Sequence, residues 1–203
     1  MNTSVQRLMG IVQHSDESGD VVDWEALQGH YGAGFPTDYR EFTEFFGEGS
    51  FNEDGIMVPI PRSTPGQQWR THRLPDDTIA SPDMQNWARP ELAGRHSLSD
   101  MLVWGSTGGA DVLCWLTEDR NPDMWPVAVW SRDDASWELY ECGMAEFLVR
   151  VFTADFGRCP LSDLSVWGRP VRFLHAREEE RLRGEGLNPW TGEANPFAGM
   201  EYD

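Results

Sequence analysis

Five histidines, three cysteines and 34 aspartates and glutamates are the side chains of this chain that could carry chemistry. All 16 basic residues are arginine, so Schiff-base chemistry and lysine-held phosphates are excluded. The histidines (His14, His30, His72, His96, His175) never stand at i, i+4, and none neighbours a cysteine at zinc-ligand spacing. A cysteine nucleophile needs a histidine close in space. Cys114 lies inside an apolar run and reads as a small core residue. Gly105-Ser-Thr-Gly-Gly109 lacks the Gly-Lys-Ser/Thr ending of a phosphate loop and follows no strand–loop–helix order, so it reads as a turn. Asp76-Asp77 and Asp133-Asp134 fall in turns, as solvated acids. Asp111 differs, because a charge within an apolar strand must find water or a partner. It either caps a turn or faces a groove. No cofactor, no metal and no enzymatic activity are expected. A hydrolase hidden in the fold would have to use Asp111 or Cys114.

The charge balance points toward binding. Formal net charge is −18 and the isoelectric point about 4.5. Phosphates would be repelled, so direct nucleic-acid contact is disfavoured. A basic protein would be attracted and steered, although acidic charge also serves solubility. The acids flanking the glycine turns are the candidate partner-binding residues: Glu48, Glu53, Asp54, Glu118, Asp119, Asp123, Asp133 and Asp134, with Asp111 added if it faces a groove. Of the ten tryptophans, most sit in predicted elements and read as core. Trp87 and Trp190 lie in irregular segments and are candidate binding anchors. No run approaches the roughly 20 apolar residues of a membrane span. No signal peptide is visible at the N-terminus, and three scattered cysteines suit a reducing compartment. The expected location is the cytoplasm.

The elements that would position these residues are legible in part. Residues 1–20 show no apolar period and are expected to be flexible and acidic. Asp23 caps a short helix to about Gln28, stopped by Gly29 or Gly32. Pro36 opens a second helix whose face is Tyr39, Phe42, Phe45 and Phe46, and Gly47 and Gly49 end it. Asp38 puts negative charge where the helix dipole favours it. A short strand follows at Ile56–Val58. Residues 59–99 hold six prolines and form a proline-rich insertion without long elements. Trp69 and Trp87 would anchor it, with a short helix near Asp83–Ala88. Strands are predicted at Met101–Ser106, Ala110–Thr117, Trp125–Ser131 and Ser136–Glu141, spaced as an antiparallel meander. The second of these is apolar on both faces, as a strand covered on both sides would be. Gly143 opens an amphipathic helix with Met144, Phe147, Leu148, Val151 and Phe152 on one face. A weaker helix is predicted over Pro170–Arg183, and a flexible or surface-draped tail beyond residue 184. Asn188-Pro-Trp190 is echoed by Asn195-Pro-Phe197 in that tail.

Taken in order, these motifs resemble a known family. Trp24-Glu-Ala-Leu27, Tyr31-Gly32, Phe35-Pro36-Thr-Asp-Tyr39 and Phe46-Gly47-Glu48-Gly49 resemble the opening of the SUKH superfamily. Trp104-Gly105, Gly109-Ala-Asp111, Pro122-Asp-Met-Trp125-Pro126, Trp137, Tyr140 and Gly143-Met-Ala-Glu-Phe147 resemble its central strands and following helix. The superfamily includes yeast cell-wall regulators and bacterial toxin-immunity proteins. The resemblance spans about residues 22–162 and implies an α+β fold, a curved, mostly antiparallel sheet with helices packed on it. Residues 21–165 would form that domain, with the 59–99 insertion inside it and a helix and tail over 166–203. It also implies a non-enzymatic protein-binding role, as an immunity protein that occludes a basic, nuclease-type toxin. The alternative is a regulatory scaffold for several client proteins.

Overall fold

A computed structural model of the chain describes residues 1–14, 19–32, 34–62 and 72–196. The expected acids Asp16 and Glu17, the anchor Trp69 and the tail from Phe197 fall outside these residues. The elements run α1 (Thr3–Ile11), β1 (Val12–Gln13), α2 (Trp24–Tyr31), α3 (Thr37–Phe45), β2 (Gly49–Phe51), β3 (Ile56–Val58), β4 (His72–Arg73) and α4 (Asp76–Ala80). They continue β5 (Met101–Ser106), β6 (Val112–Leu116), β7 (Val127–Ser131), β8 (Ser136–Tyr140), α5 (Met144–Phe152), β9 (Val171–His175) and α6 (Ala176–Gly184). The strands form one open sheet in the order β1-β9-β2-β3-β5-β6-β7-β8, with β4 also on β5. Every pairing among them is antiparallel except β1 with β9. The fold is α+β and its centre is the expected meander, β5 to β8.

Side chains alternate across that meander, and both faces are apolar. Leu113 and Trp115 of β6 and Val127 and Val129 of β7 join one core with Tyr39, Phe42 and Phe46 of α3 and Phe147, Leu148 and Val151 of α5. Cys114, Leu116, Ala128, Trp130, Trp137 and Leu139 point the other way, into a second core. Its cover is the segment after β4, through Leu74, Trp87, Leu92 and Leu98. So the stretch 74–98 is the lid of the sheet's second face. It also closes the free edge of β8. Trp137 N–H donates to Asn86 O, Ala88 N–H to Trp137 O, and the Arg89 guanidinium to Leu139 O, at 2.8–3.0 Å. An edge strand so occupied cannot template pairing with another chain.

Four expectations need correction. The first twenty residues hold α1, whose Val5 and Leu8 are fully buried and which packs on α5. Its Val5, Leu8 and Met9 stand at i, i+3 and i+4, a short helical period that the expectation of a flexible start overlooked and that suffices to dock a short helix. Residues 171–175 are strand β9 rather than the start of a helix, and α6 begins only at Ala176. Residues 83–88 hold a 3-10 turn at Pro82–Gln85, and the short α-helix lies earlier, at Asp76–Ala80. Because β1 and β9 belong to the same sheet, the domain extends beyond residues 21–165 on both sides. After α6 the chain turns back on itself, with Leu187 bridged to Ala194 and Arg172 of β9 donating to Trp190 O at 3.3 Å. No helix among the described residues is long and apolar enough to cross a membrane.

Candidate functional site

The aspartates separate into fasteners and free charges. Asp111 is fully buried at the mouth of β6. One carboxylate oxygen accepts from Thr107 Oγ1 and Ser162 N–H, both at 2.9 Å; the other accepts from Arg132 N–H at 3.0 Å and from Ser162 Oγ. Three chain segments meet on this one side chain. It caps the turn, faces no groove and drops out of the partner-binding set. The turn itself needs unusual backbone: Ala110 sits at φ 65°, where a side chain is ordinarily disfavoured.

Two further acids supply helix caps from a distance. Helices α3 and α5 begin after Pro36 and Gly143, neither of which has a side chain to accept the first free N–H groups. Asp123 does so for α3, accepting from Thr37 N–H at 2.6 Å and Thr37 Oγ1 at 3.1 Å. Asp38 does so for α5, accepting from Ala145 N–H at 2.9 Å. Burial raises the Asp38 carboxyl above its ordinary value despite that bond, and the nearby Asp123 and Glu41 charges add to the rise. The read of Asp38 as a charge for its own helix dipole was incomplete, since its carboxylate serves another helix.

A fourth cluster joins the two ends of the chain. His175, 2% exposed, caps α6: its Nδ1 accepts from Arg177 N–H at 3.0 Å. That leaves Nε2 to carry the hydrogen toward Asp20 Oδ2, 3.1 Å away. Asp20 also accepts from Glu48 N–H at 2.8 Å and from the Arg177 guanidinium. Burial opposes charge on the imidazole and lowers its pKa against the pull of Asp20. On Asp20 burial acts upward, but the Glu48 bond and the His175 and Arg177 charges outweigh it, and the carboxyl is lowered. This His–Asp pair has both ring nitrogens engaged and works as a staple. The cysteines are equally engaged by packing: burial pushes the Cys114 thiol up, and Cys142 up to about 12. Neither supplies a thiolate near neutral pH. Among the described residues no three His, Cys, Asp or Glu side chains are grouped to hold a metal ion.

The remaining candidates do not share one surface. Glu53, Asp54, Asp133 and Asp134 are exposed on turns at one end of the meander, where Gly108 N–H donates to Asp54 O at 2.7 Å. Asp134 pairs with Arg158 at 2.7 Å. Glu118, Asp119 and Asp123 sit at the far end of β6, five residues long, about 17 Å away at the rise of an extended strand. There Glu118 pairs with His96 at 3.0 Å and Asp119 accepts from Asn121 N–H at 2.8 Å.

Glu48 and Asp54 do come together, along a groove of about 530 Å³ between α6 and the β2–β3 pair. Met57, Val58 and Pro59 provide apolar lining, and Glu179 and Glu180 of α6 add two carboxylates. Glu48 is paired with Arg62 and Glu179 with Arg183. The Asp54 and Glu180 carboxylates are exposed, with no hydrogen bond or ion pair among the described residues. Sequence reading missed the two α6 acids as site residues. The run Glu178-Glu-Glu180 was the signal, but its position depended on β9 being a strand. The tryptophan anchors resolve differently: Trp87 is buried in the lid, and Trp190 is half-buried with Arg172 stacked 5.7 Å over its ring.

A family model described as SMI1-KNR4 cell-wall, of the SUKH group, matches residues 22–148, more than half the chain. No curated protein and no solved structure matches it.

Proposed function

The chain belongs to the SUKH superfamily, and we propose that it is a protein-binding module of the immunity type, acting in the cytoplasm. Its partner is a basic toxin domain, of the kind a nuclease presents because it must hold phosphates, and it neutralises that domain by covering the active site. The family includes toxin-immunity proteins, which supplies the class. The observation that carries the reading is the distribution of carboxylates: the buried ones are consumed by the fold, and Glu53, Asp54, Asp133 and Glu180 stand exposed without partners among the described residues. Fixed free charge of one sign steers an oppositely charged protein and fixes its register. Histidines and cysteines contribute no competing chemistry, being capping, paired or packed where they are described.

The experiment is inhibition of a toxin encoded beside this gene. Purified protein is expected to abolish its activity at a one-to-one ratio, less effectively as salt rises. Undiminished toxin activity at molar excess would overturn the pairing. Inhibition indifferent to salt would overturn the electrostatic mechanism.

A further inference from the structure

We infer that the groove between α6 and the β2–β3 pair receives a basic segment of the partner protein, with an arginine or lysine stem laid on Met57, Val58 and Pro59 and its charged head held by Asp54 and Glu180. This deepens the protein-binding reading and rests on it. An apolar floor alone would favour an apolar guest, and carboxylates alone would hold a small cation weakly. The two together match a long side chain that is aliphatic along its stem and cationic at its tip. The groove's size, about 530 Å³, lies in the range of sites that enclose more than one group, so a short segment fits better than a single side chain.

Charge supports the same occupant. The groove and its immediate pairs carry four carboxylates (Glu48, Asp54, Glu179, Glu180) against Arg62 and Arg183. The two ion pairs leave Asp54 and Glu180 unneutralised. Two other cavities among the described residues are built differently. The one beside Arg89, Arg95 and His96 mixes both signs. The one around Asp38 and Asp123 has its acids bonded to helix N-termini.

The walls are also held before any partner arrives. Asp54 rides on a turn whose Asn52 and Glu53 adopt φ 46° and 65°. The Asn52 side chain ties that turn down, accepting from Arg172 N–H at 2.9 Å and donating to Ser165 O and Pro170 O at 3.2 and 3.1 Å. The opposite wall starts at the His175 cap. A site fixed in advance loses less freedom on binding.

The test compares two double variants that change charge equally. Asp54→Asn/Glu180→Gln neutralises the groove, and Asp76→Asn/Glu91→Gln neutralises exposed acids elsewhere. All four side chains are exposed and unbonded among the described residues, so both proteins should unfold at the wild-type midpoint. The probes are a short labelled arginine-glycine peptide and the adjacent toxin domain. Loss of the groove acids should weaken both interactions by about tenfold or more, as removal of charge-assisted hydrogen bonds does. The other pair should cost less than about threefold, the scale of exposed charges. Equal losses from the two pairs, or no binding of the peptide to the wild type, would overturn the inference. Toxin inhibition unchanged in the groove variant would overturn it while leaving the immunity reading intact. Peptide capture lost only in the groove variant, by a protein that never inhibits the toxin, would keep the groove and remove the immunity role.

Discussion

Asp111 and Asp54 stand on neighbouring turns, joined by the hydrogen bond from Gly108 N–H to Asp54 O. Asp111 is fully buried and receives four donors from three segments; Asp54 is exposed and its carboxylate receives none. The same side chain therefore does opposite work within a few residues. In the junction it replaces water for Thr107, Arg132 and Ser162, and any loss leaves buried donors unpaired. At the groove it keeps its water until a partner removes it. An acidic protein of this kind is best read as two populations of carboxylate, one spent on the fold and one left for binding.

That division can be tested in decreasing order of effect. Asp111→Ala should be the most damaging single change, destabilising by about 3–5 kcal/mol because several buried donors lose their acceptor together; urea unfolding measures it. A loss below about 1 kcal/mol would mean the junction tolerates water and the comparison is too sharp. Asp38→Ala should cost about 1–2 kcal/mol, the worth of a helix cap, while Asp38→Asn, which keeps an acceptor for Ala145 N–H, should cost less. Equal costs would show that charge rather than the cap matters there.

The Asp20–His175 staple predicts a pH profile. The fold holds His175 neutral, with a lowered pKa, so the unfolded chain binds the proton first. Stability is then complete above about pH 6.5 and falls as pH drops through that value toward the folded pKa. The lowered Asp20 pKa keeps its contribution above about pH 4 and loses it on further acidification. His175→Gln should flatten the upper part of the profile and Asp20→Asn the lower; thermal melts across pH 2–7 on the three proteins would show whether they do. The smallest effect is expected from Asp54→Asn and Glu180→Gln, whose unfolding free energies should stay within about 0.5 kcal/mol of wild type.

Much of the frame was readable because long periods are hard to imitate. The α5 face and the four strands of the meander appear within one or two residues of where alternation and glycine turns put them. What escaped reading depends on contacts distant in sequence. Val171–His175 runs straight into the strong helix former Ala176–Gly184, so strand and helix merge into one apparent helix until β2 pairs with the first half. Asp123 looked like a free surface acid, yet it caps α3 from 86 residues away. A helix started by Pro36 or Gly143 does announce that some other residue must supply the cap, but it does not say which. The groove was half visible: Glu48 and Asp54 were marked by their turns, whereas Glu179 and Glu180 join them only when β9 carries α6 alongside.

The most direct measurement is the affinity of wild type and Asp54→Asn/Glu180→Gln for the adjacent basic toxin domain, each across a series of salt concentrations. If free groove carboxylates hold the partner, the variant binds more weakly and its affinity falls less steeply with salt than that of the wild type. Identical affinity and identical salt slope in the two proteins would contradict the account.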